Sequence, residues 1–242
     1  VSGRCAKRGL SNVNPFHPFS TEHGLIVLIG FAAIAVFLVC GRCGGSIEIS
    51  TTRTLAWLNL AAYPVGLISW ILQGDPLGPE HYLPFHLCDI AAITAGIALL
   101  TKHRLASALT YFWGLAGTIQ GLLTPAIEIG FPEPGCLTFF LQHFAIVAAS
   151  LYLPIIHGWR PRRPFWKEIT GIFVWSLAYL VFALVTNSLT GANFGYASHP
   201  PVNPSLLDHL GPWPWYLLTV QGIALILYSM LCLPFVRNKP LT

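Results

Sequence analysis

Seven stretches of this sequence, at 24–40, 55–72, 84–100, 105–123, 137–156, 169–189 and 212–234, contain no lysine or arginine. Between them they hold one acid, Asp89, and two histidines, His86 and His143. A helix rising 1.5 Å per residue needs about 20 apolar residues to cross the hydrocarbon of a bilayer. The pattern therefore predicts an all-α polytopic membrane bundle of about seven transmembrane helices, forming one membrane domain over 1–242. Only 9% of the residues are charged and 54% are hydrophobic, against roughly a quarter charged in soluble domains. So few charges cannot solvate a globule, and the basic residues sit in short loops, which excludes a nucleic-acid binder. No internal repeat is detectable.

Loop charges set the expected orientation. On an alternating seven-helix path, one side receives Arg42, Arg53, Lys102, Arg104, Arg160, Arg162, Arg163, Lys167, Arg237 and Lys239, and the other receives Asp75, Glu80, Glu128, Glu133 and Asp208. The positive-inside rule then places the N-terminus outside and the C-terminus in the cytoplasm. Arg4, Lys7 and Arg8 run against it. An N-terminal signal peptide is the competing reading of the first apolar run, disfavoured because Val39-Cys40-Gly41-Arg42 offers no small-residue cleavage pair.

Polar groups inside hydrocarbon are expensive, so their positions are informative. They gather toward the outer side. His86, Cys88 and Asp89 follow Pro84 at the start of the third run, Gln142 and His143 open the fifth, Gln120 closes the fourth, Asn187 closes the sixth, and Tyr216 opens the seventh; His23 precedes the first at the same level. Counting from Pro84 as a first-turn residue puts Cys88 about 6 Å deep, and counting from Leu137 puts His143 about 9 Å deep. A thiol and an imidazole at comparable depth suggest a nucleophile and its base. Each residue also has a blander role: a cysteine as a small buried hydrophobe, an amide as interhelical glue, Asp89 as a helix-terminal acid. The shared depth is what those roles explain poorly.

Other constellations are weaker. Cys40 and Cys43 with His103 and His157 form a conceivable zinc set, and Cys5 with Cys136 a conceivable disulfide. A retinal lysine is missing from every run, the last run has no histidine for a zinc hydrolase, and haem would have only His86 and His143 as axial ligands. Two function classes survive: a Cys–His enzyme acting on lipid acyl groups, and a transporter or binding protein whose outer vestibule uses the same polar groups to hold a small molecule.

Four ordered motifs carry a resemblance. Leu83-Pro84-Phe85-His86-Leu87-Cys88-Asp89, the segment Tyr111 to Pro125 (YFWGLAGTIQGLLTP), Gln142-His143, and Leu210-Gly211-Pro212-Trp213-Pro214-Trp215-Tyr216 resemble the YwaF-type integral membrane proteins, related to vertebrate transmembrane protein 164. The resemblance runs from about Pro18 to Pro234. It implies a membrane acyltransferase with a cysteine nucleophile at Cys88 and a histidine at His143. The scaffold is also similar to androgen-induced lipid hydrolases that use Thr and His at corresponding places, so hydrolysis of a lipid ester is the alternative reaction. The expected partners are membrane lipids, a lysophospholipid and an acyl donor. Asp89, His86, Gln120, Gln142, Asn187, Asn193 and Tyr216 are the expected supporting residues, with Gln142, Gln120 and Asn187 as oxyanion or orienting donors, Asp89 orienting an imidazole, and the loop from Asn193 to Tyr196 as a cap. No metal or other cofactor is called for, and the expected location is a bacterial cytoplasmic membrane.

Overall fold

The computed structural model describes residues 14–73, 77–201 and 203–236. Over these described residues it is an all-α bundle of nine α-helices: α1 Thr21–Arg42, α2 Gly45–Gln73, α3 Pro79–Tyr82, α4 Leu87–Thr101, α5 Arg104–Trp113, α6 Ile119–Leu123, α7 Pro134–Ile155, α8 Phe165–Thr190 and α9 Trp215–Cys232. Among the described residues six spans are long and apolar enough to cross a membrane: α1, α2, α3 with α4, α7, α8, and α9 with the turn that follows it. The expected Cys5 pairing and the basic residues 4, 7, 8, 237 and 239 lie outside the described residues, as does Asp75.

The fourth apolar run, 105–123, is not a regular helix. It divides into α5, a π-helical turn over Gly114–Thr118, and α6. The cause lies on α7. The Ser150 hydroxyl sits 2.8 Å from the carbonyl oxygens of both Thr110 and Ile146, and a Cβ on Gly114 would lie 2.0 Å from that hydroxyl. A side chain inserted at the helix ladder, where only glycine leaves room, loosens the next turn.

Despite the break, 104–123 passes from one end of the bundle to the other. At its start Arg104 bonds the carboxylate of Glu168 at 3.3 Å and the carbonyl of Arg160 at 3.2 Å. At its finish the Leu122 carbonyl accepts from Nε2 of His23, 2.8 Å away. Contacts between helix ends sort the same way. The end holding Arg42, Arg53, Lys102, Arg104, Arg160, Arg162, Arg163 and Lys167 also ties Arg163 to the Phe235 carbonyl and Thr52 to the Tyr152 hydroxyl. The opposite end, which carries no Lys or Arg among the described residues, joins Phe16 to Glu128, Tyr63 to the His81 carbonyl and Trp213 to the Ala197 carbonyl. These are the basic and acidic ends of the bundle.

Helix α7 is the hub: 61% of its apolar window is buried within the protein, against 11% for α1 and 17% for α8 and α9. The outer helices expose Leu28, Val36, Val181, Leu218 and Ile226, as lipid-facing helices must. Close packing against α7 uses small residues, the usual device where helices meet without a hydrophobic driving force. A Cβ on Gly30 of α1 would fall 2.2 to 2.4 Å from the Phe144 ring.

The third run begins later than the sequence reading expects. Pro84 is not a first-turn residue; His86 is the N-cap of α4, and Leu83 is extended at φ −118°, ψ 128°. The residue before a proline is driven out of the helical region, which fixes Leu83. At 15 residues, α4 is about 22 Å long and falls roughly 8 Å short of the hydrocarbon thickness. Its N-terminus is thus sunk below the acidic-end surface. Irregular backbone at such depth survives only where protein or a cavity covers it.

Gly30→Leu is expected to separate α1 from α7 and lower thermal stability by an overpacking cost of about 1–3 kcal/mol. Phe144→Ala in the same chain should recover part of the loss, and Gly24→Leu, where a Cβ meets nothing within 4 Å, should be neutral. Thermal unfolding in detergent reads all three, and equal midpoints for Gly30→Leu and wild type would count against this packing.

Candidate active site

Cys88 is the second residue of α4 and His143 the tenth of α7. Measured from the true helix starts, His143 lies about 14 Å along α7 and Cys88 about 1.5 Å along α4, so the depths counted from Pro84 and Leu137 do not hold. The two positions are nevertheless level, because α7 reaches further toward the acidic end and their chain neighbours are bonded. Gln142 Nε2 donates to Asp89 Oδ1 at 2.8 Å. The other oxygen, Oδ2, accepts from the His86 backbone N–H at 3.2 Å. Asp89 therefore caps its own helix and anchors it to α7. It does not orient an imidazole, and one of the two Gln142 amide protons is committed to it. An acid at the third helical position is favoured there by the unpaired N–H groups and the helix dipole.

His143 is buried, and its ring stacks on Phe139 with centroids 4.0 Å apart. Its Nδ1 lies 2.8 Å from the Phe139 carbonyl oxygen. A carbonyl only accepts, so Nδ1 carries the proton and the neutral ring keeps a lone pair on Nε2. That edge rests on Gly121: a Cβ there would stand 2.5 Å from Nε2. Among the described residues nothing hydrogen-bonds Nε2. Cys88 packs beside Ala91, Ala92 and Ile146, the last one turn beyond His143 on the same face of α7.

Both groups line one cavity of about 500 Å3, within the range of small-molecule and lipid sites. Of the residues expected from sequence, His86, Cys88, Asp89, Gln120, Gln142, His143 and Tyr216 line it. Asn187 and Asn193 do not. Asn187 accepts from the Phe194 N–H at 2.7 Å and donates to its carbonyl, and Asn193 accepts from the Ser198 N–H and donates to the His199 carbonyl. Both build the loop after α8; neither is placed to bind an oxyanion.

The cavity runs from Glu80, His81 and Leu206 at the acidic end to Trp113, Ser176 and Tyr228, which bond one another through the Ser176 hydroxyl at 3.0 and 2.9 Å. Below that floor Tyr111, Phe112, Trp159 and Phe235 pack ring against ring. Leu67, Leu87, Leu180, Leu217 and Leu227 supply apolar wall, and among the described residues no Lys or Arg lines it. The interior suits a hydrocarbon chain and a neutral ester rather than a phosphate. Thr118 Oγ1 and Gln221 Oε1 are buried on this cavity without a hydrogen-bond partner among the described residues.

Sequence reasoning missed Gly121, Thr118 and Tyr179 as site residues, and named Tyr196 only as part of a capping loop. Gly117 and Gly121 at helical spacing around Gln120 were the available signal. Among the described residues no group of three His, Cys, Asp or Glu is placed to hold a metal; Cys43 turns its thiol to the Val39 carbonyl, and His157 approaches Thr52.

The TMEM164 family profile matches residues 18–232. The chain belongs to the TMEM164 family. A relative from Treponema pallidum (strain Nichols), bearing the name "Uncharacterized protein", is 27% identical over 230 residues, covering 88% of this chain and 92% of its own length. No solved structure matches the chain significantly. The matched region of this TMEM164 family member spans α1 to α9, and its apolar spans make it an integral membrane protein.

Gln142→Leu should strip Asp89 of its partner and leave a buried carboxylate half-satisfied, lowering stability by about 1.5–3 kcal/mol. Adding Asp89→Asn, which removes the charge, should restore part of it. A melting midpoint for Gln142→Leu equal to wild type would show that the bond does not hold α4 to α7.

Proposed function

We propose that this protein is a lipid acyltransferase in a bacterial cytoplasmic membrane, with its basic end inward and its cavity opening toward the outer leaflet, in keeping with the YwaF-type resemblance. The observation that carries the reading is that Cys88 and His143 face one apolar-walled cavity, with the imidazole lone pair on Nε2 uncommitted. The positive-inside rule supports the orientation. Family membership supports the site only as far as the Cys88 and His143 motifs carry it.

In the proposed reaction the Cys88 sulfur attacks an ester carbonyl of a phospholipid while its proton passes to Nε2 of His143. The carbon–oxygen ester bond breaks, the lysolipid oxygen leaves with the proton from His143, and the acyl group remains as a thioester. A hydroxyl of a second lysophospholipid then loses its proton to His143 and attacks the thioester, and the Cys88 sulfur leaves and regains the proton. Water in place of that hydroxyl gives hydrolysis. The acyl chain lies along the leucines toward Ser176 and Tyr228, and the headgroup stays at the mouth.

Transfer of a labelled acyl chain from phospholipid to lysophospholipid by purified protein in vesicles tests this. Cys88→Ala is expected to abolish transfer and His143→Ala to slow it by about 10²–10⁴-fold. Cys40→Ala, a thiol remote from the cavity, is expected to be fully active. Undiminished transfer by Cys88→Ala would overturn the reading.

A further inference from the structure

Five tyrosines line the cavity: Tyr63, Tyr179, Tyr196, Tyr216 and Tyr228. Four spend their hydroxyls. Tyr63 donates to the His81 carbonyl, Tyr179 to the Phe85 carbonyl, Tyr216 to the Tyr196 carbonyl, and Tyr228 bonds Ser176. Among the described residues the Tyr196 hydroxyl makes no hydrogen bond.

The backbone that presents it is strained. Tyr196 has φ 52° directly after Gly195 at φ 62°. A left-handed turn is ordinary for the glycine and costly for a bulky aromatic residue, which holds it only when the surroundings enforce it. Here they do. Asn187 clamps both backbone groups of Phe194, whose ring is fully buried against Phe85. Trp213 Nε1 donates to the Ala197 carbonyl at 3.1 Å, and the Tyr216 hydroxyl holds the Tyr196 carbonyl at 2.5 Å. Residues on either side of Tyr196 and its own carbonyl are therefore tied down, and the ring is directed inward beside His86, centroids 6.0 Å apart. His86 is the N-cap of the helix whose second residue is Cys88. Strain enforced by independent tethers around one free polar group is the pattern of a functional residue, not of a spacer.

We propose that Tyr196 is a catalytic residue, its phenol donating a hydrogen bond to the oxyanion that forms on the ester carbonyl when Cys88 attacks. The inference rests on the acyl-transfer reading above. Burial, with a smaller contribution from the neighbouring Cys88, holds the phenol well above the ordinary tyrosine range, so it stays protonated as a donor throughout the working pH range. The developing charge on the carbonyl oxygen draws the donor only in the transition state, which is where a preorganised hydrogen bond accelerates a reaction.

Tyr196→Phe keeps the ring and removes the donor. In the vesicle transfer assay it is expected to lower kcat by about 10²–10³-fold with KM nearly unchanged, as for loss of a single oxyanion donor. The rate of Cys88 alkylation by iodoacetamide and the melting midpoint should match wild type. A kcat within twofold of wild type, with Cys88→Ala inactive, would overturn the role of Tyr196 and leave the acyltransferase reading standing. A lower kcat accompanied by an equal fall in alkylation rate would also overturn it, assigning Tyr196 to loop geometry alone. Full activity of Cys88→Ala would remove the acyltransferase reading and this inference together.

Discussion

The carboxylate of Asp89 is the interaction on which the rest of the site depends. An acid within a membrane-spanning segment is costly unless both oxygens are satisfied, and here one closes the first turn of α4 while the other binds Gln142 on α7. The two bonds fix where α4 begins and how it registers against the central helix. Residues 88 and 143 flank that joint, so the same contact that stabilises the bundle brings a thiol and an imidazole to one level. Removing charge from the joint is physically milder than removing its partner, since an uncompensated buried carboxylate is the dearer state.

Around this joint the backbone is irregular on two sides. The extended segment before α4 and the π turn between α5 and α6 both border the cavity, and the extended segment would be intolerable facing lipid. Each has a local cause: proline at 84 excludes helix at Leu83, and Ser150 presses on the α5 ladder at Thr110. Gly121, one turn past the π segment, then lets the His143 ring lie against bare backbone. Lipid-facing helices α1 and α8 need no such detail, and their surfaces are correspondingly plain.

Much of this was legible in the sequence. Charge-free runs are set by the bilayer itself, so the passes could be read from composition along the chain, and the loop charges among the described residues sort to two ends. Cys88 and His143, which line the cavity, stood out in the sequence because polar atoms in hydrocarbon are rare. What failed were local readings. Pro84 looked like a helix start because proline suits a first turn, yet its effect on the preceding residue and the reach of Asp89 to His86 moved the start to Leu87. Asn187 looked like a site amide because it ends a run at the right depth, but a following loop with unpaired backbone groups claimed it first. The break at Gly114 depends on Ser150, thirty-six positions away in sequence, and no window along the chain contains both. The left-handed backbone of Tyr196, in a loop read only as a cap, was invisible for the same reason, since its geometry is imposed by Asn187, Trp213 and Tyr216 rather than by its neighbours.

The central claim is that Cys88 carries the acyl group covalently. Purified protein mixed with phospholipid donor in the absence of any lysophospholipid acceptor, quenched in acid and digested, should yield the Cys88 peptide heavier by the mass of one acyl chain and returned to its free mass by neutral hydroxylamine, as a thioester requires. Turnover of the donor with every cysteine peptide remaining unmodified would contradict the account.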